Sequence, residues 1–399
     1  MSQFNRRKFI VSGAAGAAGI MVVNPVTGGY RKPPSGIRRE REIIHRTLGK
    51  TGVKVPVVSI GASQSNAQLM RACLESGMTH IDTAHGYQRG QNEVMLGEVL
   101  KDYDRDSFTI ATKVRCAGVD RAGMPSAATT GDGFEEQFNI SLERLQMDYV
   151  DFLHIHDAST TEMVNHEPVL NRLLRIKREG RAKFIGIATH RNEPQVIDAM
   201  IENGNYDVVV VSYNFKQDHR DEVAAAISRA NDAGMGVVCM KAVAGGFLDR
   251  QRTEPVNASA SIKWCLSHPG VHTTIPGMRN FTEVEANLPI MEDITMTEEE
   301  RRDIISAMPV AGLYCNGCSQ CVADCPRGLP LPDLMRAYMY AYGYANAPMA
   351  YDLLQEIAAG PDPCAGCDKC CTSCVKGFNV KEKVADISRL ASVPGEFMV

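Results

Sequence analysis

Apolar residues recur with two alternating periods through the middle of the chain. Short runs rich in Val and Ile stand at 57–60, 79–82, 108–112, 149–155, 184–188, 208–212, 236–240 and 273–275. Between them lie amphipathic stretches of roughly 10 to 15 residues, among them 67–76, 92–100 and 221–232. Many close on glycine, as at Gly77, Gly180, Gly204 and Gly234, which suits a left-handed helix stop. Strands alternating with helices imply parallel pairing and an α/β class. Eight such units in about 245 residues predict a (β/α)8 barrel, a TIM barrel. A doubly wound sheet is the alternative, but no G-x-G-x-x-G follows the first strand. Residues 46–52 predict a small hairpin ahead of the barrel.

The two ends break this pattern. Residues 5–10 read Asn-Arg-Arg-Lys-Phe-Ile, followed by a Gly/Ala-rich apolar stretch to Val23. An Arg pair, an aromatic two residues on and a weakly apolar run resemble a twin-arginine export signal. The run is short and glycine-rich for a spanning helix. A basic tail on a cytosolic enzyme is the alternative reading. Residues 24–40, with Pro25, Pro33 and Pro34, read as a linker. At the other end, nine of the 13 cysteines lie beyond residue 314. The expected division is therefore 1–40 signal and linker, 41–292 barrel, 293–312 linker helix and 313–399 a cysteine-rich domain. The formal net charge of −4 argues against a nucleic-acid binder, which would show a basic face.

In a (β/α)8 barrel the chemistry gathers at the C-terminal ends of the strands. Those ends carry Asp82, with Tyr87 five residues on, then Lys113, then His156. A free tyrosine, pKa about 10, exchanges protons poorly at neutral pH, and a nearby ammonium stabilises its phenolate. A carboxylate beside the lysine keeps that ammonium charged and placed, and a histidine can hydrogen-bond a substrate oxygen. His154 competes with His156 but lies further back in its strand.

Residues 82–87, Asp-Thr-Ala-His-Gly-Tyr, continuing into 92–97, Asn-Glu-Val-Met-Leu-Gly, resemble the signature of the aldo/keto reductase family over about 46–290. The resemblance implies Tyr87 as general acid/base, Lys113 and Asp82 as its tuning pair, and His156 as the group that orients a carbonyl. It implies reversible hydride transfer between NAD or NADP and a small carbonyl or alcohol substrate. It also implies a dinucleotide across the barrel mouth, where this chain departs from the family pattern. The usual Ser-Asn after strand 5 is Thr189-His190, the Gln of strand 6 is Val210, and the stacking aromatic after strand 7 is Met240. Gly245 and Gly246 would let backbone approach a pyrophosphate. Gly277, Met278 and Arg279, running to Asn287, resemble the adenosine-side loop. Glu283 stands where a basic residue often pairs with a 2′-phosphate, and Arg279 could replace that residue, so both dinucleotides stay open. Residues 115–132 carry no specificity motif.

Cys315-x2-Cys318-x2-Cys321-x3-Cys325-Pro326 and Cys364-x2-Cys367-x2-Cys370-x3-Cys374 have the spacing of bacterial ferredoxins with two [4Fe–4S] clusters. In that arrangement the fourth cysteine of each run serves the other cluster. The expected sets are Cys315, Cys318, Cys321 with Cys374, and Cys364, Cys367, Cys370 with Cys325, Cys371 being a spare. Structural zinc and disulfides are the alternatives. Residues 330–359 carry Leu, Met, Tyr and Ala at helical spacing, which predicts a mainly helical variant and packing side chains. Cys73, Cys116, Cys239 and Cys265 are expected to be buried and inert.

Signal and clusters agree, because twin-arginine export carries folded, cofactor-loaded proteins. The expected protein is an exported, periplasmic oxidoreductase, membrane-anchored if the signal is uncleaved and cytoplasmic if it is unused. The twin-arginine translocase and a redox partner are its expected partners. The competing class is an exported iron–sulfur electron-transfer or binding protein that keeps the barrel as a non-catalytic scaffold.

Overall fold

A hairpin of β1 (His45–Thr47) and β2 (Lys54–Pro56) opens the fold, antiparallel across the turn at Gly49–Thr51. This computed structural model describes residues 42–367 and 370–398, so the expected export signal and linker lie outside the described residues. Eight parallel strands follow: β3 (Ile60–Gly61), β4 (His80–Asp82), β5 (Thr109–Val114), β6 (Val150–His156), β7 (Ala182–Thr189), β8 (Val208–Ser212), β9 (Gly236–Met240) and β10 (Thr273–Thr274). They pair in chain order. The sheet closes where Val58 bridges Thr274 and Gly61 bridges Gly277, so the order is a barrel. β3 starts later than the apolar run at 57–60, because Val57 joins the seam through single bonds to Thr274 and Ile44.

The hydrophobic periods explain this assembly. Val208 to Val211 are all buried, as expected of strands covered on both faces. One set of side chains fills the barrel interior: Leu48 and Val55 from the hairpin, then Ala111, Phe152, Ala188, Val210, Val238, Met240 and Ile275. The other set meets the surrounding helices, α1 (Ala67–Glu75), α2 (Gln91–Leu100), α3 (Gly131–Leu145), α4 (Thr161–Val164), α5 (Glu167–Arg178), α6 (Glu193–Asn203), α7 (Arg220–Asp232), α8 (Ala258–Leu266) and α9 (Phe281–Glu292). Cys73, Cys116, Cys239 and Cys265 are buried, and burial pushes the Cys73 and Cys116 thiols up to about 12.

After α10 (Glu298–Ala307) the chain turns back over the barrel mouth. It forms α11 (Gln320–Ala323), α12 (Leu331–Tyr338), a wide π turn at Met339–Gly343, α13 (Ala347–Glu356) and α14 (Val380–Ser388). Among the described residues of 313–398 there is no strand. Leu331, Leu334, Met335 and Tyr338 of α12 pack with Leu353, Leu354, Val384 and Ile387 of the later helices. Phe215, Ala244, Val256 and Ala260 of the barrel join the same cluster, and Glu42–Val399 form one compact unit. Burying each large apolar side chain contributes about 1.5–3 kcal/mol. Among the described residues no helix is long and apolar enough to cross a membrane.

Candidate active site

The start of α2 places the first catalytic candidates. Asn92 donates to the Ala62 carbonyl at 2.8 Å and accepts from the Thr83 hydroxyl at 2.6 Å. Glu93 accepts from Thr112 at 2.6 Å. These buried bonds tie the helix to the ends of three strands. The connecting turn takes left-handed backbone at Gln88 and Arg89 and brings Tyr87 to the barrel mouth. At Gly97 a Cβ would meet the Arg144 carbonyl at 2.5 Å, so glycine permits the close approach of α2 and α3. The Asn-Glu and Gly of residues 92–97 thus act as scaffold for Tyr87.

Lys113 is 1% exposed and donates to Asp82 and, at 2.8 Å, to the Thr83 carbonyl. Its Nζ lies 5.2 Å from the centre of the Tyr87 ring. Burial works against the ammonium, but Asp82 and Tyr87 outweigh it and hold Lys113 above its ordinary value. Asp82 Oδ2 is buried with no partner among the described residues, and burial raises that carboxyl. Burial also pushes the Tyr87 phenol up, against the pull of Lys113. The balance differs from the expected lowering, because desolvation exceeds the effect of one ammonium. His156 stands edge-on to Tyr87, ring centres 6.0 Å apart. Burial, then Arg115 and Lys113, hold it well below an ordinary histidine, so it is neutral. His154 lies inside the barrel, stacked on Phe152, with Nδ1 unpartnered among the described residues.

Asp82, Tyr87 and His156 open onto a cavity of about 1220 Å³. It runs from Tyr87 and His156 past His190, Met240 and Gly246 to Gly277, Arg279, Glu283 and Asn287. Of the residues expected to bind a dinucleotide, His190, Met240, Gly246, Gly277, Arg279 and Asn287 therefore line one space. Thr189, Gly245 and Met278 do not. Thr189 turns inward and donates to the Arg191 carbonyl at 2.8 Å. Met278 is fully buried against Cys73. The Gly245 N–H donates to the Tyr344 hydroxyl at 3.1 Å. Burial, then Lys241, holds His190 well below its ordinary value.

The cavity has a roof that the sequence reading missed. Tyr340 accepts from Lys241 Nζ at 3.1 Å, and the Tyr344 carbonyl accepts from Arg279 at 3.0 Å and Gln64 at 3.2 Å. Arg336 binds both oxygens of Asp157, at 3.3 and 3.2 Å, and Asp333 at 2.7 Å. Burial opposes the Asp157 charge, but Arg336 and Arg115 outweigh it and hold that carboxyl well below its usual range. The signal was present: Asp333, Arg336, Tyr340 and Tyr344 recur three or four residues apart, a polar face within a stretch read as packing. Arg279 also binds Glu283 at 2.5 Å.

The cysteines of the two runs interleave. Cys315 has Cys374, Cys321 and Cys318 as neighbours, whereas Cys364 has Cys367, Cys370, Cys325 and Asp362. Cys325, Cys364, Cys367, Cys370 and Cys371 line one small cavity. Burial pushes Cys315 up to about 12 and Cys321 to about 11. Cys315, Cys318, Cys321, Cys325, Cys364, Cys370 and Cys374 form no disulfide. Among the described residues no three His, Cys, Asp or Glu stand close enough to hold one metal ion. Zinc would draw four thiolates to about 2.3 Å from one centre, whereas a four-iron cube holds them further apart. Each expected set offers four thiols, the number that a [4Fe–4S] cluster takes.

The eight-stranded barrel carries an acid, a phenol, an ammonium and an imidazole at its C-terminal rim, where this class of α/β fold places its chemistry. The aldo/keto reductase family model matches residues 61–260, half of the chain, and the protein belongs to that family. It is 26% identical over 314 residues to L-galactose dehydrogenase of Arabidopsis thaliana, covering 67% of this chain and 95% of that protein. It is 23% identical over 298 residues to the uncharacterized oxidoreductase YqkF of Bacillus subtilis, covering 66% and 94%. Among solved structures, aldo-keto reductase AKR11C1 from Bacillus halodurans in its holo form superposes with a TM-score of 0.56 at 23% identity, covering 67% of this chain and 97% of that one. The protein is an oxidoreductase of the aldo/keto reductase kind.

Proposed function

We propose that the protein transfers hydride reversibly between a nicotinamide dinucleotide and a small carbonyl or alcohol substrate, with Tyr87 as general acid/base. The observation that carries this reading is the Lys113 ammonium, fixed by Asp82 and the Thr83 carbonyl, beside a Tyr87 that opens onto the long cavity. A bound dinucleotide supplies the hydride. Tyr87, raised by burial, keeps its proton at neutral pH and gives it to the carbonyl oxygen. In the reverse direction Lys113 stabilises the phenolate that accepts it. Neutral His156 donates a hydrogen bond to the same oxygen and fixes the substrate's orientation. Arg279 commits its guanidinium to Glu283 and the Tyr344 carbonyl, which supports NAD, with its free ribose hydroxyl, over NADP.

The same reading includes two [4Fe–4S] clusters. Cys315, Cys318, Cys321 and Cys374 would hold one, and Cys364, Cys367, Cys370 and Cys325 the other; such clusters supply one-electron chemistry when bound. Export of the folded protein by the twin-arginine route, from the signal at residues 5–23, is part of the proposal and assigns it to the periplasm. Tyr87→Phe tests the central role. It is expected to reduce turnover by about 10²–10⁴-fold while dinucleotide binding persists. Near-normal turnover would overturn the assignment.

A further inference from the structure

The two cysteine sets are not equivalent. The Cys315 set is fastened to the barrel mouth. Asn316 donates to Asp218 at 2.6 Å, and Lys376 donates to Asp218 at 2.5 Å and to the Lys216 carbonyl at 2.9 Å. A further small cavity lies between the barrel residues His190, Arg191 and Lys241 and the loop residues Cys315 and Gly317. The other set lines a cavity with Arg327 and with Val380, Lys381 and Val384 of α14.

Arg191 lines the small cavity at Cys315 and Gly317 and the long one as well. Its aliphatic stem lies against Gly317, where a Cβ would meet Arg191 Cγ at 2.9 Å. The Gly317 N–H in turn donates to Cys315 Sγ at 3.4 Å. Arg191 Nε is buried and has no hydrogen-bond partner among the described residues. The neighbouring acids are already engaged: Asp157 and Asp333 are both bound to Arg336. An unpartnered buried donor on a cation is costly and calls for an anion.

We propose that Arg191 is a positioning residue for the cluster of the Cys315 set, its guanidinium providing the local positive charge that the metal–sulfur group requires. Four thiolates on an iron–sulfur cube leave a net negative charge, which grows by one on reduction. A fixed cation beside it favours the reduced form and raises the potential. The proposal rests on the cluster reading and concerns the protein's own side chain.

The experiment is a redox titration of anaerobically purified full-length protein, followed by electron paramagnetic resonance, with iron content measured on the same samples. Cys318→Ala identifies the transition of the mouth-side cluster by its loss. Arg191→Gln is expected to lower that midpoint by about 59 mV, a tenfold change in the reduction equilibrium for one electron, and to leave the other unmoved. Arg191→Lys is expected to restore most of the shift. Two full clusters with both midpoints unchanged in Arg191→Gln would overturn the role of Arg191. Protein without iron after anaerobic reconstitution would instead overturn the cluster reading beneath it.

Discussion

The barrel and the C-terminal segment both bury titratable groups, but they satisfy them differently. In the barrel, buried and half-buried carboxylates meet cations or backbone donors. Asp82 holds Lys113, Asp151 accepts from Arg105 at 2.7 Å and from the Ile110 N–H at 2.9 Å, and Asp207 holds Lys177 at 2.6 Å. In the C-terminal segment Cys315, Cys321 and Cys364 face mainly other thiols, and burial raises all three. The barrel is complete as a folded object, whereas on the cluster reading the cysteine loops need metal to finish them. Metal binding there is then part of folding.

The largest expected effect lies in the barrel. Lys113→Met leaves Asp82 buried without its partner, and breaking a buried pair in this way costs about 3–5 kcal/mol. Urea unfolding of the variant should show a loss of that size. A loss below about 1 kcal/mol, the range of an exposed pair, would mean that Lys113 and Asp82 are not the buried anchor described here.

Removing iron should act on the other region and more locally. Amide exchange in the cysteine loops, 315–325 and 364–379, is expected to speed up on chelation, while β4 to β9 keep their protection. Equal loss of protection in both regions would break the contrast between a self-sufficient barrel and a metal-completed segment.

The smallest effect is on pH dependence. His156 is held neutral by burial, Arg115 and Lys113, so it gains no proton as pH falls through the usual histidine range. Tyr87 is raised by burial, so its proton is lost only above the ordinary phenol value of about 10. Carbonyl reduction should therefore stay level from about pH 6 to about pH 9 and decline only at higher pH. A histidine-like limb between about pH 6 and about pH 7 would contradict the neutral His156.

The same contrast explains what could be read from the sequence. The eight strands were legible because burial on both faces leaves continuous runs such as Val208–Ser212. Asp82, Tyr87, Lys113 and His156 were legible because strand ends converge in a barrel. The grouping of the cysteines into crossed sets was expected from their spacing; Cys315 and Cys364 lie near members of the expected sets, and Cys321 lies near Cys325 of the other set as well. The roof was read as packing: Arg336, Tyr340 and Tyr344 share a helical face, but their partners lie 65 to 179 residues away in sequence and the local period does not name them. Met278 was misplaced because a one-residue change of direction in a loop sends a side chain into the core instead of the cavity.

Dinucleotide binding is the most direct test of the barrel as an enzyme. NADH and NADPH are titrated into the anaerobically purified protein while nicotinamide fluorescence is followed, and an aldehyde is then added. The expected result is one dinucleotide per chain, tighter binding of NADH, and oxidation of the bound cofactor by the aldehyde in wild type but not in Tyr87→Phe. Absence of binding by either dinucleotide would contradict this reading and leave the barrel as a scaffold for the cysteine-rich segment.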